Sequence, residues 1–245
     1  MGFRSRATAW TVILTFWLPV PYGKSKESMP TSTWFRLNVA KRERVLEVAM
    51  REFGEHGYST GSLNTIAREA GIAKGSLFQY FSDKLEFFAF VVDEASRRVR
   101  EEMERRIERI DFDQSFDEWL FDVLCDWTEY MADHPLERGV TAATNFELDN
   151  GVRSVVRDTA NQHYLQVIHP TLELWKAEGA IREDADLAVL ATWLMTLLPF
   201  LALAPYYDGL DPIHDLRGRG PAEQRPVIRQ LVAGFRPMFA PDKQK

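Results

Sequence analysis

Between Leu63 and Lys84 the chain reads LNTIAREAGIAKGSLFQYFSDK, and its apolar rhythm changes phase at a glycine. Ile66, Ala67, Ala70, Ile72, Leu77 and Tyr80 recur at helical spacing on either side of Gly71. The pattern predicts a helix from about Ser62 to Ala70, a turn at Gly71-Ile72-Ala73 that buries Ile72, and a second short helix opening near Lys74. Gly71 can take the positive φ that closes a helix with little strain. Ala67 is small enough to let a neighbouring helix approach. This is the spacing of a helix-turn-helix, whose second helix can enter a DNA major groove.

The polar face of that second helix is what separates a reader from a packing element. Lys74, Ser76 and Gln79 carry donors suited to phosphates and base edges, and Gly75 permits close backbone approach. Phe78 and Tyr80 add flat rings that can pack on a thymine methyl or a sugar. An ordinary helical hairpin with a solvated polar face could carry the same residues.

The flanks are more informative. Ahead of the element, KRERVLEVAMREFGEHGYST at 41–60 places Val45, Leu46, Ala49, Met50 and Phe53 on one stripe, with a stop at Gly54/Gly57 followed by Tyr58. From RVLEVAMREFGEHGY through IAREAGIAKGSLFQYF to SDK, the run closely resembles the N-terminal domain of the tetracycline-repressor (TetR) family of bacterial transcriptional regulators. The anchors are Phe53, Gly57 and Tyr58, then Tyr80, Phe81 and Lys84. The resemblance spans roughly residues 40 to 90. It implies DNA contacts at Ser62, Lys74, Gly75, Ser76, Phe78, Gln79, Tyr80 and Lys84. Gly61 stands where the family usually has a capping Thr, so Thr60 or Ser62 must take that role. Phe78 and Gln79 replace the commoner Tyr and His, which bears on base preference rather than on DNA binding.

Charge divides along the chain. Residues 1–84 hold 12 Lys+Arg against 7 Asp+Glu, a balance of +5, while residues 85–245 hold 18 against 29, a balance of −11. The basic surplus lies with the reading element, and phosphate attraction needs only a local positive face. The lone cysteine, Cys125, excludes an internal disulfide and fits a reducing cytoplasm. An apolar helical position suits it better than a nucleophile or redox sensor.

Arg4 and Arg6 precede an apolar stretch, Ala7 to Val20, that looks like the start of a signal peptide, but Pro19, Pro21 and Tyr22 stand where small cleavage-site residues belong. The stretch is too short to span a bilayer comfortably. Residues 1–35 are expected to be a disordered or loosely helical extension, with residues 1–28 preceding a second start candidate at Met29. A membrane tether is the alternative.

Beyond Lys84 the signals are helical. Phe87, Phe88, Val91, Val92, Ala95 and Val99 mark one side of a long helix whose distal half alternates Arg and Glu. Ser115–Asp133 carries Phe116, Trp119, Leu120, Val123, Leu124, Trp127 and Met131 on one face. Shorter and longer helices follow at about 135–148 and 152–178, the latter with a kink expected at Pro170. Residues 185–207 are apolar nearly all round, broken by Pro199 and Pro205, and need cover on more than one side. The predicted fold is all-α, with a helix-turn-helix domain at 36–84 and a helical ligand-binding and dimerisation domain at 85–245.

The resemblance implies a homodimer through 185–207 and 221–239, a palindromic double-stranded operator, and a small-molecule effector. Trp119, Trp127, Asn145, Phe146, His163, Tyr164 and Trp175 have the composition of an apolar pocket with a few orienting polar groups, which points to a hydrophobic effector. They could equally be core aromatics, leaving a DNA-binding dimer without an effector. A helical enzyme is a third reading. His163 and His169 project to nearly opposite helix faces, and neither C-x-x-C nor a phosphate-binding glycine loop after a strand occurs, so no metal or cofactor is expected.

Overall fold

Apolar stripes spaced three and four residues apart become helices throughout the computed structural model, which describes residues 30–109 and 114–241. Among the described residues no strand occurs. The order is α1 (Ser32–Phe35), α2 (Val39–Thr60), α3 (Leu63–Ala70), α4 (Lys74–Tyr80) and α5 (Lys84–Ile107), followed by α6 (Phe116–Asp133) and α7 (Pro135–Asn145). The last three are α8 (Asn150–Ala177), α9 (Leu187–Leu203) and α10 (Pro221–Phe239). The expected extension at 1–28, with its apolar stretch Ala7–Val20, lies outside the described residues. No helix among the described residues is long and apolar enough to cross a membrane.

By packing, the described chain forms two compact units, one of residues 30–102 and 130–163, the other of residues 103–129 and 164–241. In the first, Phe53 packs against Phe87 and Phe88, with ring centroids 5.9 and 4.8 Å apart, and Val45, Val91 and Val92 close the same core. The apolar side expected for α5 is buried, from Phe87 to Val99. Within residues 30–35, assigned to the extension on sequence grounds, Trp34 belongs to the core at 2% exposure, whereas Phe35 is exposed.

Within the same unit α2 lies against α7. Gly54 and Gly139 meet backbone to backbone, and a Cβ on Gly54 would fall 3.1 Å from the Cα of Gly139. Gly54 therefore serves a helix contact rather than the stop read from the sequence. The break comes at Gly57 alone, whose φ of 68° is unfavourable for other residues. Beside this contact Arg98 ties three helices together, reaching Glu43 at 2.7 Å, Glu94 at 3.6 Å and Glu137 at 3.7 Å. Glu137 is 6% exposed, and a carboxylate so deep needs a cation beside it.

The second unit is built on aromatic packing. Phe116 touches Trp119, Trp175 and Phe239 with centroids 4.8 to 5.6 Å apart. Trp127 donates its indole N–H to the Leu198 carbonyl at 2.8 Å, joining α6 to α9. Pro170 lies within α8 and Pro199 within α9, where each removes one backbone donor. A single chain covers more of α9 than its composition suggested: Leu190, Ala191, Leu194, Leu197, Leu198 and Leu201 are all buried. Left open on the other side of α9 are Ala188, Val189, Thr192 and Thr196. Cys125 is buried, and burial pushes its thiol up to about 11 against the opposing field of Arg225.

Substituting Gly54→Ala should lower stability by about 1 kcal/mol, because forcing α2 off α7 outweighs the gain in helix propensity. Thermal unfolding checks this, and a raised Tm would show that the two backbones have room. The Cys125 thiol of the native protein should react with an aromatic disulfide reagent at pH 8 on the order of 100-fold more slowly than that of urea-unfolded chain. Comparable rates would contradict its burial.

Candidate nucleic-acid interface

The corner between α3 and α4 follows from the end groups of two short helices. Ser62 is the N-cap of α3, its Oγ accepting from the Thr65 N–H at 3.2 Å. Its own N–H donates to Glu52 Oε1 at 2.7 Å, which fastens the cap to α2. Thr60, the other candidate for that cap, instead donates its hydroxyl to the His56 carbonyl. Gly61 is explained by space: a Cβ there would lie 2.6 Å from the Gly57 carbonyl oxygen and 2.8 Å from the Phe53 ring. No threonine could follow this path, so the cap moves one residue on.

At the other end of α3, Gly71 adopts φ 68° and ψ 36°, the left-handed turn expected of it. Ile72 donates back to the Ala67 carbonyl at 2.9 Å, completing a Schellman-type closure. Ile72 is half-buried, less than the sequence suggested. Ala73 then caps α4 without a side-chain bond. Of the residues on α4, Leu77 and Tyr80 face inward at 2% and 5% exposure, whereas Lys74, Gly75, Phe78 and Gln79 are exposed and Ser76 is half-buried. The outward face thus holds a cation, an amide, a large exposed ring and a glycine with open space above it. Tyr80 is not on that face; its ring packs edge-on against Trp34 at 5.6 Å.

Lys84 opens α5 but leans back toward α2. Its Nζ donates to the Ser59 carbonyl at 3.3 Å and lies 4.8 Å from the centre of the Tyr58 ring. Burial holds the Lys84 ammonium below its ordinary range, opposed by the fields of Glu52 and Glu147. Burial likewise raises the Tyr58 hydroxyl, aided by Asp83. Lys84 and Thr60 are therefore brought to the same end of α2, while Ser62 sits at the start of α3.

The seven residues considered for an effector do not form one cluster. Asn145, Phe146 and His163 belong to the first unit and Trp119, Trp127, Tyr164 and Trp175 to the second. Asn145 bonds the Thr141 carbonyl and accepts from Arg157, and Phe146 is 42% exposed. His163 lies between two residues of α5, with Nε2 2.8 Å from Asp93 and Nδ1 accepting from Arg100 at 3.2 Å. Trp119 and Trp175 pair with each other at 5.4 Å inside the aromatic core, and Trp127 meets Tyr164 at 5.9 Å. Sequence reasoning passed over Glu52 and Trp34. A buried acid on an amphipathic helix and a tryptophan ahead of the first long stripe were the signals available.

A family model for bacterial regulatory proteins of the tetR family matches residues 45–91, the stretch from α2 through the first turns of α5. The chain is also 28% identical over 185 residues to the transcriptional repressor AcnR of Corynebacterium diphtheriae, covering 72% of this chain and 88% of that protein. This protein carries the TetR-family regulatory-protein signature at residues 45–91. It is accordingly a DNA-binding transcriptional regulator and not an enzyme. Solved structures share the fold at low identity. FadR of Bacillus subtilis, in complex with stearoyl-CoA, aligns with a TM-score of 0.60 at 17% identity, over 78% of this chain and 96% of its own. NalD of Pseudomonas aeruginosa, a secondary repressor of a multidrug efflux pump, gives 0.61 at 18%, over 84% and 100%. As in the TetR-family chains it resembles, the helix-turn-helix precedes a larger helical region.

Replacing Ser62 by Ala should cost about 1 kcal/mol of stability through loss of the α3 cap, while Thr60→Ala should change it by less than about 0.5 kcal/mol. Denaturant unfolding of both variants measures the difference. Equal losses would return the capping role to Thr60.

Proposed function

We propose that this TetR-like regulator is a repressor that reads a palindromic operator as a homodimer and whose operator binding is modulated by a hydrophobic small molecule. The observation that carries the DNA-reading assignment is the outward face of α4, where Lys74, Gly75, Phe78 and Gln79 stand exposed on a helix anchored by Leu77 and Tyr80. Ser76 completes that face, with Ser62, Thr60 and Lys84 set for backbone phosphates. Gln79 has the amide geometry for an adenine edge, and Phe78 the ring for a thymine methyl. Residues 36–84 form the reading domain in this account, and 85–245 the effector and dimerisation region.

Dimerisation is proposed through 185–207 and 221–239. Supporting it, the open side of α9 presents Ala188, Val189, Thr192 and Thr196, and α10 presents exposed Ala233 and Gly234. Small side chains let two helices approach closely, and a two-fold axis would pair like faces. For the effector, the candidate region is the apolar second unit around Trp127 and Tyr164, and the acyl-CoA bound by the Bacillus subtilis FadR indicates the class of molecule the fold can take. In such a dimer, effector binding would alter the separation of the two α4 helices so that they no longer fit successive major grooves. A cytoplasmic location follows from the need to meet DNA.

A second reading, a DNA-binding dimer with no effector, draws on the tight mutual packing of Phe116, Trp119, Trp175 and Phe239. A thermal shift with long-chain acyl-CoA and with the free fatty acid discriminates between them.

Selection of bound duplexes from a random pool by the purified full chain should enrich an inverted repeat. With that site, Gln79→Ala should lose about 1–3 kcal/mol of discrimination at the base it reads. Lys84→Ala should weaken binding to every sequence alike and reduce the salt slope by about 1. If both variants bind all probes as the parent does, the assigned face is wrong.

A further inference from the structure

Helix α4 has seven residues, too few to be stable by itself, and it ends without a glycine closure. Its last carbonyls must find partners elsewhere. Leu77 O accepts from the Phe81 N–H at 2.9 Å, inside the local chain. The next acceptors are met from 48 residues earlier: Thr31 donates its hydroxyl to the Gln79 carbonyl at 2.6 Å. The Thr31 backbone N–H reaches the Tyr80 carbonyl at 2.8 Å.

One turn after Thr31, Trp34 fills the space beneath the same end of α4. Its ring lies 5.6 Å from Tyr80, 5.4 Å from Phe81 and 5.6 Å from Phe90, so it wedges the C-terminus of α4 against the first turns of α5. Phe81 continues the cluster to Phe87 at 4.6 Å. Both residues lie ahead of the stretch matched by the family model. The acceptor bonded by Thr31 Oγ1 belongs to Gln79, the residue whose side chain points outward on the reading face.

We propose that Thr31 and Trp34 are positioning residues for base reading: together they set the angle and depth at which the C-terminal half of α4 presents Gln79 to DNA. The proposal rests on α4 being the reading helix. Neither residue need touch a base; they act through the backbone and ring at the end of α4. Loss of the clamp frees the last turn to fray, so the amide of Gln79 samples several orientations. Phosphate contacts, which tolerate such motion, are kept, while bidentate base contacts are not.

The test uses the full chain with the DNA selected by the parent protein. Affinities are measured, at one salt concentration, for the selected site, for its single-base variants and for an unrelated duplex. Trp34→Ala should cut the preference for the selected site over variants at the Gln79 position about tenfold, while binding to unrelated duplex changes less than about twofold. Trp34→Phe should restore most of the preference, and Thr31→Val, which removes only the hydroxyl, should lose about threefold. Unchanged discrimination in folded Trp34→Ala and in Thr31→Val overturns the proposal, as does a parallel loss on all three duplexes. Should Trp34→Ala fail to fold, Thr31→Val decides alone. If the parent itself shows no sequence preference, it is the α4 assignment that fails. Hydrogen exchange at 77–81 then judges the clamp: an acceleration of about tenfold in Thr31→Val supports it, and unchanged rates refute it.

Discussion

Seven residues of helix cannot hold a shape in water, and the proposed reading element of this protein depends on how α4 is tied down. Inside, Leu77 and Tyr80 are buried, and Tyr80 packs on Trp34 of the aromatic cluster that continues through Phe81, Phe87 and Phe90. At its ends, the polar groups a short helix leaves over are claimed by Ala73 on one side and by Phe81 and Thr31 on the other. Each hydrogen bond is worth only about 1 kcal/mol. The exposed face of α4 adds little to its folding, so the opposite face and the ends carry it.

The same economy governs α3. It has eight residues, an N-cap at Ser62 secured through Glu52, and a left-handed close at Gly71. Glu52 is 9% exposed and spends its carboxylate on a backbone N–H, so α2 is joined to α3 by a charge-assisted bond as well as by apolar packing. Arg98 extends this logic to α7, where it neutralises the deep Glu137 while holding Glu43 of α2 and Glu94 of α5. With the glycine contact at Gly54 and Gly139, these ties make α2 the frame to which both the helix-turn-helix and α7 are attached.

Much of this was legible in the residues themselves. The phase change at Gly71, the stripes of α2 and α5, and the boundaries of α4 and α10 appear where periodicity put them, because each element's apolar face and its stop signals agree. Periodicity failed where a position served a neighbour distant in sequence. Gly54 read as a stop because its contact, Gly139, is 85 residues away. Tyr80 read as a DNA contact because its spacing is right, yet Trp34 takes its ring. The aromatic residues considered for an effector divide between two packing units, a fact that composition cannot contain.

What the sequence alone determined is the local grammar: helical class, the helix-turn-helix corner, the family, and the basic bias of the N-terminal third. These rest on interactions between residues a few positions apart, which any reader of the chain can pair. Only the tertiary structure decided that Ser62 rather than Thr60 caps α3, that Gly61 must lack a side chain, and that residues 31–34 close the end of α4. Those outcomes turn on van der Waals clearance and on which acceptor meets which donor, and both are set by distances between segments that the order of residues leaves open.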